Sequence, residues 1–123
     1  MIVITDVNKI FSAAFSIDGA EARIFSSKSK IQFFAPDYLL DELKLHFDEI
    51  AEGTRLSKKA TKILLDSITS KIRSIKVADI PTTHIQKAIE LVSDIDEKDA
   101  PYIALHLYSG HKLWTEIKNS FLG

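Results

Sequence analysis

The sequence predicts an α/β fold: a three-layer sandwich with a central parallel sheet of four or five strands between two layers of helices. Two patterns predict it. Short apolar runs recur at residues 2–5, 31–35, 74–80 and 112–115, each too brief for a helix and carrying β-branched or aromatic residues. Longer amphipathic stretches separate them, so consecutive strands are joined by helical crossovers, which make strands parallel. A third observation fits a packed interior: 46% of residues are hydrophobic and 27% charged, ordinary globular usage. The 123 residues read as one domain, 1–123, able to bury about two-thirds of its unfolded surface.

The first run, "IVIT", ends at Asp6 and reads as a fully buried strand. Asn8 is expected to cap a helix through Phe15, with Ile10, Ala13 and Ala14 on its inner face. After Gly19, "AEARIFSS" reads as a helix with Ala22 and Phe25 inward, and "IQFFA" as the second strand. Pro36 and Asp37 suit the first turn of a helix expected over 37–52. Its stripe is Leu39, Leu40, Leu43, Phe47 and Ile50, and Gly53 is expected to end it. Ser57 then caps a helix whose Ala60, Ile63, Leu64 and Ile68 face the core. "SIKVADI" (74–80) alternates as a third strand. Pro81 and Thr82 begin a helix with Ile85, Ala88, Ile89 and Val92 inward. The helix "YIALHLYS" ends at Gly110, a common position for glycine past a helix, and "KLWT" is the fourth strand.

Composition removes several classes of function. Cysteine is absent, so there is no disulfide framework, thiol nucleophile or cysteine-ligated zinc. No apolar run approaches the ~20 residues that span a bilayer. The opening "MIVITDVNKIF" is interrupted by Asp6 and Lys9 before it can serve as a signal segment, and a cytoplasmic protein is the simplest expectation. A Walker loop, a Gly-x-Ser-x-Gly elbow and a dinucleotide glycine fingerprint are missing. The net charge of −1 gives no bulk attraction to nucleic acid. It is unevenly spread: Arg55 to Lys76 holds seven basic residues and one acid, Asp66.

The acids carry the chemistry. Four of the six residues from Asp94 to Asp99 are acidic: Asp94, Asp96, Glu97 and Asp99. One carboxylate can cap the following helix and a second can complement its dipole, with Pro101 suiting the first turn. Four crowded carboxylates repel one another unless solvated or bound to a cation. Asp6 follows a buried strand, and in a parallel sheet ligands bind beyond the carboxyl ends of the strands. With Asn8 as the cap, Asp6 is left to line that crevice. Glu42 lies one turn inside its helix on the flank of the apolar stripe, where an acid is ordinarily just solvated. Each residue has an ordinary structural role. Together they bring oxygen ligands from three separate elements, the set that Mg²⁺ or Mn²⁺ prefers.

The ordered set resembles a known family. "ITDVN" is similar to the Asp-x-Asn start of PIN-domain nucleases, "FFAPDYLLDEL" to their second strand and acid-bearing helix, and "DEKDAPYIALHLYSGHKLWT" to their third acidic site with its helix, strand and Trp-Thr pair. The resemblance runs from about residue 2 to 118. It implies that Asp6, Glu42 and Asp99 are catalytic metal-binding acids, that Asp96 is a neighbouring metal acid, and that Asn8 and Thr115 are polar supporting positions. The implied activity is Mg²⁺- or Mn²⁺-dependent hydrolysis of RNA, with a toxin of a toxin–antitoxin pair, an antitoxin-like protein partner and a homodimer as the implied biology. One position departs from the pattern. Where the family reads Trp-Thr-x-Asp, this chain has Trp114-Thr115-Glu116-Ile117, so Ile117 replaces the fourth carboxylate and Glu116 stands one position early. The chain also reads as having a shortened C-terminal end. A PIN-fold module that holds RNA or a protein partner without cutting is the alternative.

The remaining polar residues divide between structure and function. His46, His84, His106 and His111 show no ligand spacing. Trp114 reads as a core anchor beside the crevice rather than a base-stacking platform. Lys58, Lys59 and Lys62 lie in the first half of a helix, where the macrodipole disfavours cations. A solvated face is their ordinary reading, and contact with an RNA phosphate backbone the second.

Overall fold

The structure, a computed structural model, describes residues 1–26, 30–92 and 96–115. Strands β1 (Ile2–Thr5), β2 (Gln32–Pro36), β3 (Ile72–Ile75) and β4 (Lys112–Trp114) form one sheet in the order β3-β2-β1-β4. Every pairing is parallel. Helices α1 (Val7–Phe15) and α2 (Ala20–Ile24) join β1 to β2. Helices α3 (Tyr38–Leu45), α4 (Phe47–Thr54) and α5 (Lys58–Thr69) join β2 to β3, and α6 (Thr82–Val92) and α7 (Ala100–Ser109) join β3 to β4.

Strand alternation divides the interior into two cores. Val3, Phe33, Ile72 and Trp114 face one side, where they meet Ile10, Ala13 and Ala14 of α1, Leu39 and Leu43 of α3, Ile50 of α4 and Leu65 and Ile68 of α5. Ile4, Phe34 and Ile75 face the other, against Ala88 and Val92 of α6 and Ile103 and Ala104 of α7. The result is the expected α/β three-layer arrangement, with four strands among the described residues. Each fully buried Ile, Leu or Phe contributes roughly 1.5–3 kcal/mol of burial.

This order places a crevice. β1 is flanked by β2 on one side and β4 on the other. The helix that leaves β1 lies in the first layer, while the helix that feeds β4 lies in the second. Connections that diverge between neighbouring strands open a gap beyond their carboxyl ends. Residues 6 and 115 stand at that gap.

Several local expectations are corrected. Asp6, not Asn8, caps α1 (see below). Pro36 closes β2 instead of opening α3, and the Asp37 side chain reaches across to accept the Val77 N–H at 3.1 Å. That bond, with Asp79 N–H to Lys76 O at 2.9 Å, folds Val77–Asp79 into a 3₁₀ turn, so the third strand is Ile72–Ile75 and not 74–80. The helix expected over 37–52 breaks at His46 (φ −102°, ψ 12°), whose ring packs edge-on against Phe11 at 5.9 Å. Gly53 lies inside α4 under the Phe15 ring, where a Cβ would stand 2.6 Å from Cε1. Arg55 ends the helix instead, in the left-handed region at φ 61°. On α5 the buried stripe is Thr61, Leu65 and Ile68, and Ile63 is exposed. Leu64 and Ile68 meet the core as expected, and the face is shifted toward Thr61 and Leu65. Leu40 and Ile89, like Ile63, are exposed.

Candidate active site

Asp6 is fixed from two sides. The chain leaves β1 extended at Asp6 (φ −94°, ψ 172°), and Oδ1 accepts the Lys9 N–H at 3.1 Å, which caps α1. Asn8 is exposed within the first turn of that helix. The expectation that Asn8 would free Asp6 from capping therefore fails, because the side chain one residue beyond the strand already reaches the third amide. Capping does not exclude a site role. Oδ2 of Asp6 accepts the Thr115 hydroxyl from the end of β4, and only 3% of the residue is exposed.

Glu42 enters from α3. Leu39 and Leu43 turn one face of the helix into the core, and Glu42 lies beside them, 9% exposed. A buried carboxylate needs a partner. The hydroxyl of Tyr102 on α7, 1% exposed, donates to Oε1. Burial pushes the Glu42 carboxyl above its usual range, Asp99 and Asp6 push it further, and the Tyr102 hydrogen bond pulls it back. The Tyr102 hydroxyl is itself raised by burial and by Glu42. Tyr38 stands edge-on to Tyr102 at 6.5 Å, its hydroxyl raised by burial and then by Glu42, Asp96, Asp41 and Asp99.

The acidic turn before α7 divides its labour. Asp96 accepts the Lys98 N–H at 3.0 Å and caps the 3₁₀ turn Glu97–Asp99. Asp99 then begins α7 without a side-chain capping bond, and Pro101 occupies the first turn. The Asp99 carboxyl, half-buried, is pushed up to about 6 by burial and by the charges of Asp96 and Asp6. Carboxylates from the end of β1, from α3 and from the start of α7 thus lie within one another's fields.

Among the described residues, no group of three or more His, Cys, Asp or Glu side chains stands arranged to hold a metal ion. The donor chemistry nevertheless fits a hard divalent cation: the side chains are carboxylates, and their mutual repulsion is what a cation relieves. Glu116 and Ile117 lie outside the described residues, as does Asp94. Lys58, Lys59 and Lys62 are exposed on α5 and line a surface depression with Phe47 and Ile63. Lys58 pairs with Asp48 at 3.6 Å and Lys62 with Asp66 at 3.2 Å. A groove of about 460 Å³ between α3 and α5, lined by Leu40, Leu43, Phe47 and Leu65, includes none of the site carboxylates.

Three residues near these acids were not legible as site residues: Lys9, Tyr38 and Tyr102. Tyr102 had a signal, since it is three residues after Asp99 and so shares its helix face. Tyr38 had a weaker one, four residues before Glu42 on the same helix.

The chain matches the family model described as PIN domain over residues 4–123, and it belongs to that family. A comparison with curated proteins gave no match. The fold is accordingly of nuclease type, in a family that generally uses divalent metals. No helix among the described residues is long and apolar enough to cross a membrane.

Proposed function

We propose that the chain is a divalent-metal-dependent endoribonuclease of PIN type, with Asp6, Glu42 and Asp99 as its acids and Asp96 as a neighbouring acid. The observation that carries this reading is geometric: at the switch point of the sheet Asp6 is held by Thr115, and Glu42 is held by Tyr102 of α7, the helix that Asp99 begins. Mg²⁺ or Mn²⁺, held by these carboxylates, would supply Lewis acidity toward a phosphoryl oxygen and acidify water. The chain's own residues supply the geometry. Thr115 and the Lys9 amide orient Asp6, Tyr102 orients Glu42, and Asp99, whose carboxyl is pushed up to about 6 by burial and by Asp96 and Asp6, would give up its proton to hold the cation. Asn8 lies on the same turn as Asp6, and Glu116 adjoins Thr115 in the sequence; both enter the reading as supporting groups.

Within this reading the protein is the cytoplasmic toxin of a toxin–antitoxin pair, recognised by an antitoxin-like protein and paired as a homodimer. Family membership supports this, as do the exposed aliphatic side chains Leu40, Leu45 and Ile63 of α3 and α5. Lys58, Lys59 and Lys62 are proposed to contact the RNA backbone. A second reading, a PIN-fold module that binds without cutting, is favoured by Ile117 at the place of the fourth carboxylate.

A time course on a mixed-sequence RNA with Mn²⁺, with EDTA, and with Asp99→Asn tests the reading. Cleavage that requires Mn²⁺ and falls at least tenfold in the variant is expected. RNA binding without cleavage under any condition would select the second reading.

A further inference from the structure

Lys9 is placed where a lysine is costly. It is 8% exposed, and it lies in the first turn of α1, where the positive end of the helix dipole opposes a cation. Its side chain runs to the face of Trp114, with Nζ 5.0 Å from the ring centroid. An ammonium over an indole is attracted by the negative face of the ring, more strongly where water is excluded. Phe25, at 5.6 Å between ring centroids, and Phe33, at 6.0 Å, also flank the indole.

The chain direction gives this contact a consequence. Trp114 is the last residue of β4, and the next residue, Thr115, donates its hydroxyl to Oδ2 of Asp6. The backbone amide of Lys9 donates to Oδ1 of the same carboxylate, at 3.1 Å. One residue therefore takes part in two anchorages of Asp6: through its amide directly, and through its side chain by way of Trp114 and Thr115. Phe25 and Phe33 hold the indole from within the core. Lys9 thus links the start of α1 to the end of β4.

We propose that Lys9 is a positioning residue for the carboxylate site: its ammonium draws the Trp114 ring, and with it the carboxyl end of β4, onto the start of α1, so that Thr115 closes on Asp6. The proposal rests on the reading of Asp6 as a cation ligand. It differs in sign from a simple charge effect. A lysine that merely added positive potential near the acids would repel a cation, and its removal would tighten cation binding. A lysine that sets the geometry of Asp6 loosens cation binding when its charge is removed.

Trp114 is the single tryptophan, so its fluorescence reports the contact without any metal. Acrylamide quenching of the metal-free protein is compared for wild type, Lys9→Met and Lys9→Arg. Methionine keeps the apolar stem and the backbone amide, and arginine keeps the cation. The quenching constant is expected to rise roughly twofold in Lys9→Met and to return toward wild type in Lys9→Arg. Calorimetry with Mn²⁺ then covers wild type, Lys9→Met, Thr115→Ala and the double variant. Lys9→Met should weaken binding roughly fivefold, and the double variant should be no weaker than the weaker single one, because both substitutions act through one contact. Unchanged quenching in Lys9→Met, tighter Mn²⁺ binding, or fully additive effects would overturn the proposal. Failure of the wild type to bind Mn²⁺ would overturn the cation-site reading instead, while the quenching comparison would still decide whether Lys9 holds Trp114.

Discussion

Asp99 and Glu42 show how single carboxyls register their surroundings. Asp99 holds its proton to about pH 6 in the folded chain, against an ordinary value of 3.8, because burial and the charges of Asp96 and Asp6 disfavour ionisation. Between those two values the folded state binds more protons than the unfolded one, so stability falls as pH rises through the window. Asp99→Asn removes that loss. In EDTA, its melting temperature relative to wild type should therefore be higher at pH 7 than at pH 4; equal differences at the two pH values would contradict the crowding. Glu42 depends on one donor from another helix. Tyr102→Phe leaves the buried carboxylate without the hydroxyl and should cost about 1–3 kcal/mol in urea unfolding at neutral pH. An unchanged midpoint and slope would mean that the bond adds nothing. Asp6, Glu42 and Asp99 stood out as acids just after a strand or near a helix start, and Thr115 came with the family resemblance. Tyr102 and Lys9 could not be paired with their partners, because those contacts join residues 60 and 105 positions apart, 42 with 102 and 9 with 114.

Element ends depend on contacts that the local pattern does not contain. All four strands were legible, three of them to within a residue, because a short apolar run between amphipathic stretches has few other uses in a small domain. The third was displaced because Asp37 captures the Val77 amide from 40 residues away. Gly53 read as a helix stop, yet it serves the close approach of Phe15, and the stop falls on Arg55 at φ 61°, ψ 21°. A side chain in that region costs about 1 kcal/mol relative to glycine. Arg55→Gly should accordingly stabilise the chain by up to about 1 kcal/mol, read as a higher urea midpoint with an unchanged slope. A lower midpoint would mean that the arginine side chain contributes more than the strain removes. The break at His46 had no signal of its own, since histidine is an ordinary helix residue; packing of its ring on Phe11 of α1 decides it.

At the scale of the whole molecule, the strand order β3-β2-β1-β4 brings Asp6 and Thr115 together and sets α7 across from α3. Alternating strands and helices predicted a parallel sheet, and the acids predicted a cation. The order of the strands, which decides whether those acids meet, came only with the structure. Exposed Leu40, Leu45 and Ile63 suit a pairing surface, and light scattering at high protein concentration should give a dimer mass; a strictly monomeric mass would contradict pairing. The carboxylates at the switch point are proposed to form one cation site. Titration calorimetry with Mn²⁺ at pH 7 on wild type, Asp6→Asn and Asp99→Asn tests it most directly, because asparagine at position 6 still caps α1 and so removes charge without removing the helix start. Binding by the wild type, weakened at least tenfold in each variant, is the predicted result; indistinguishable heats for all three proteins would contradict it.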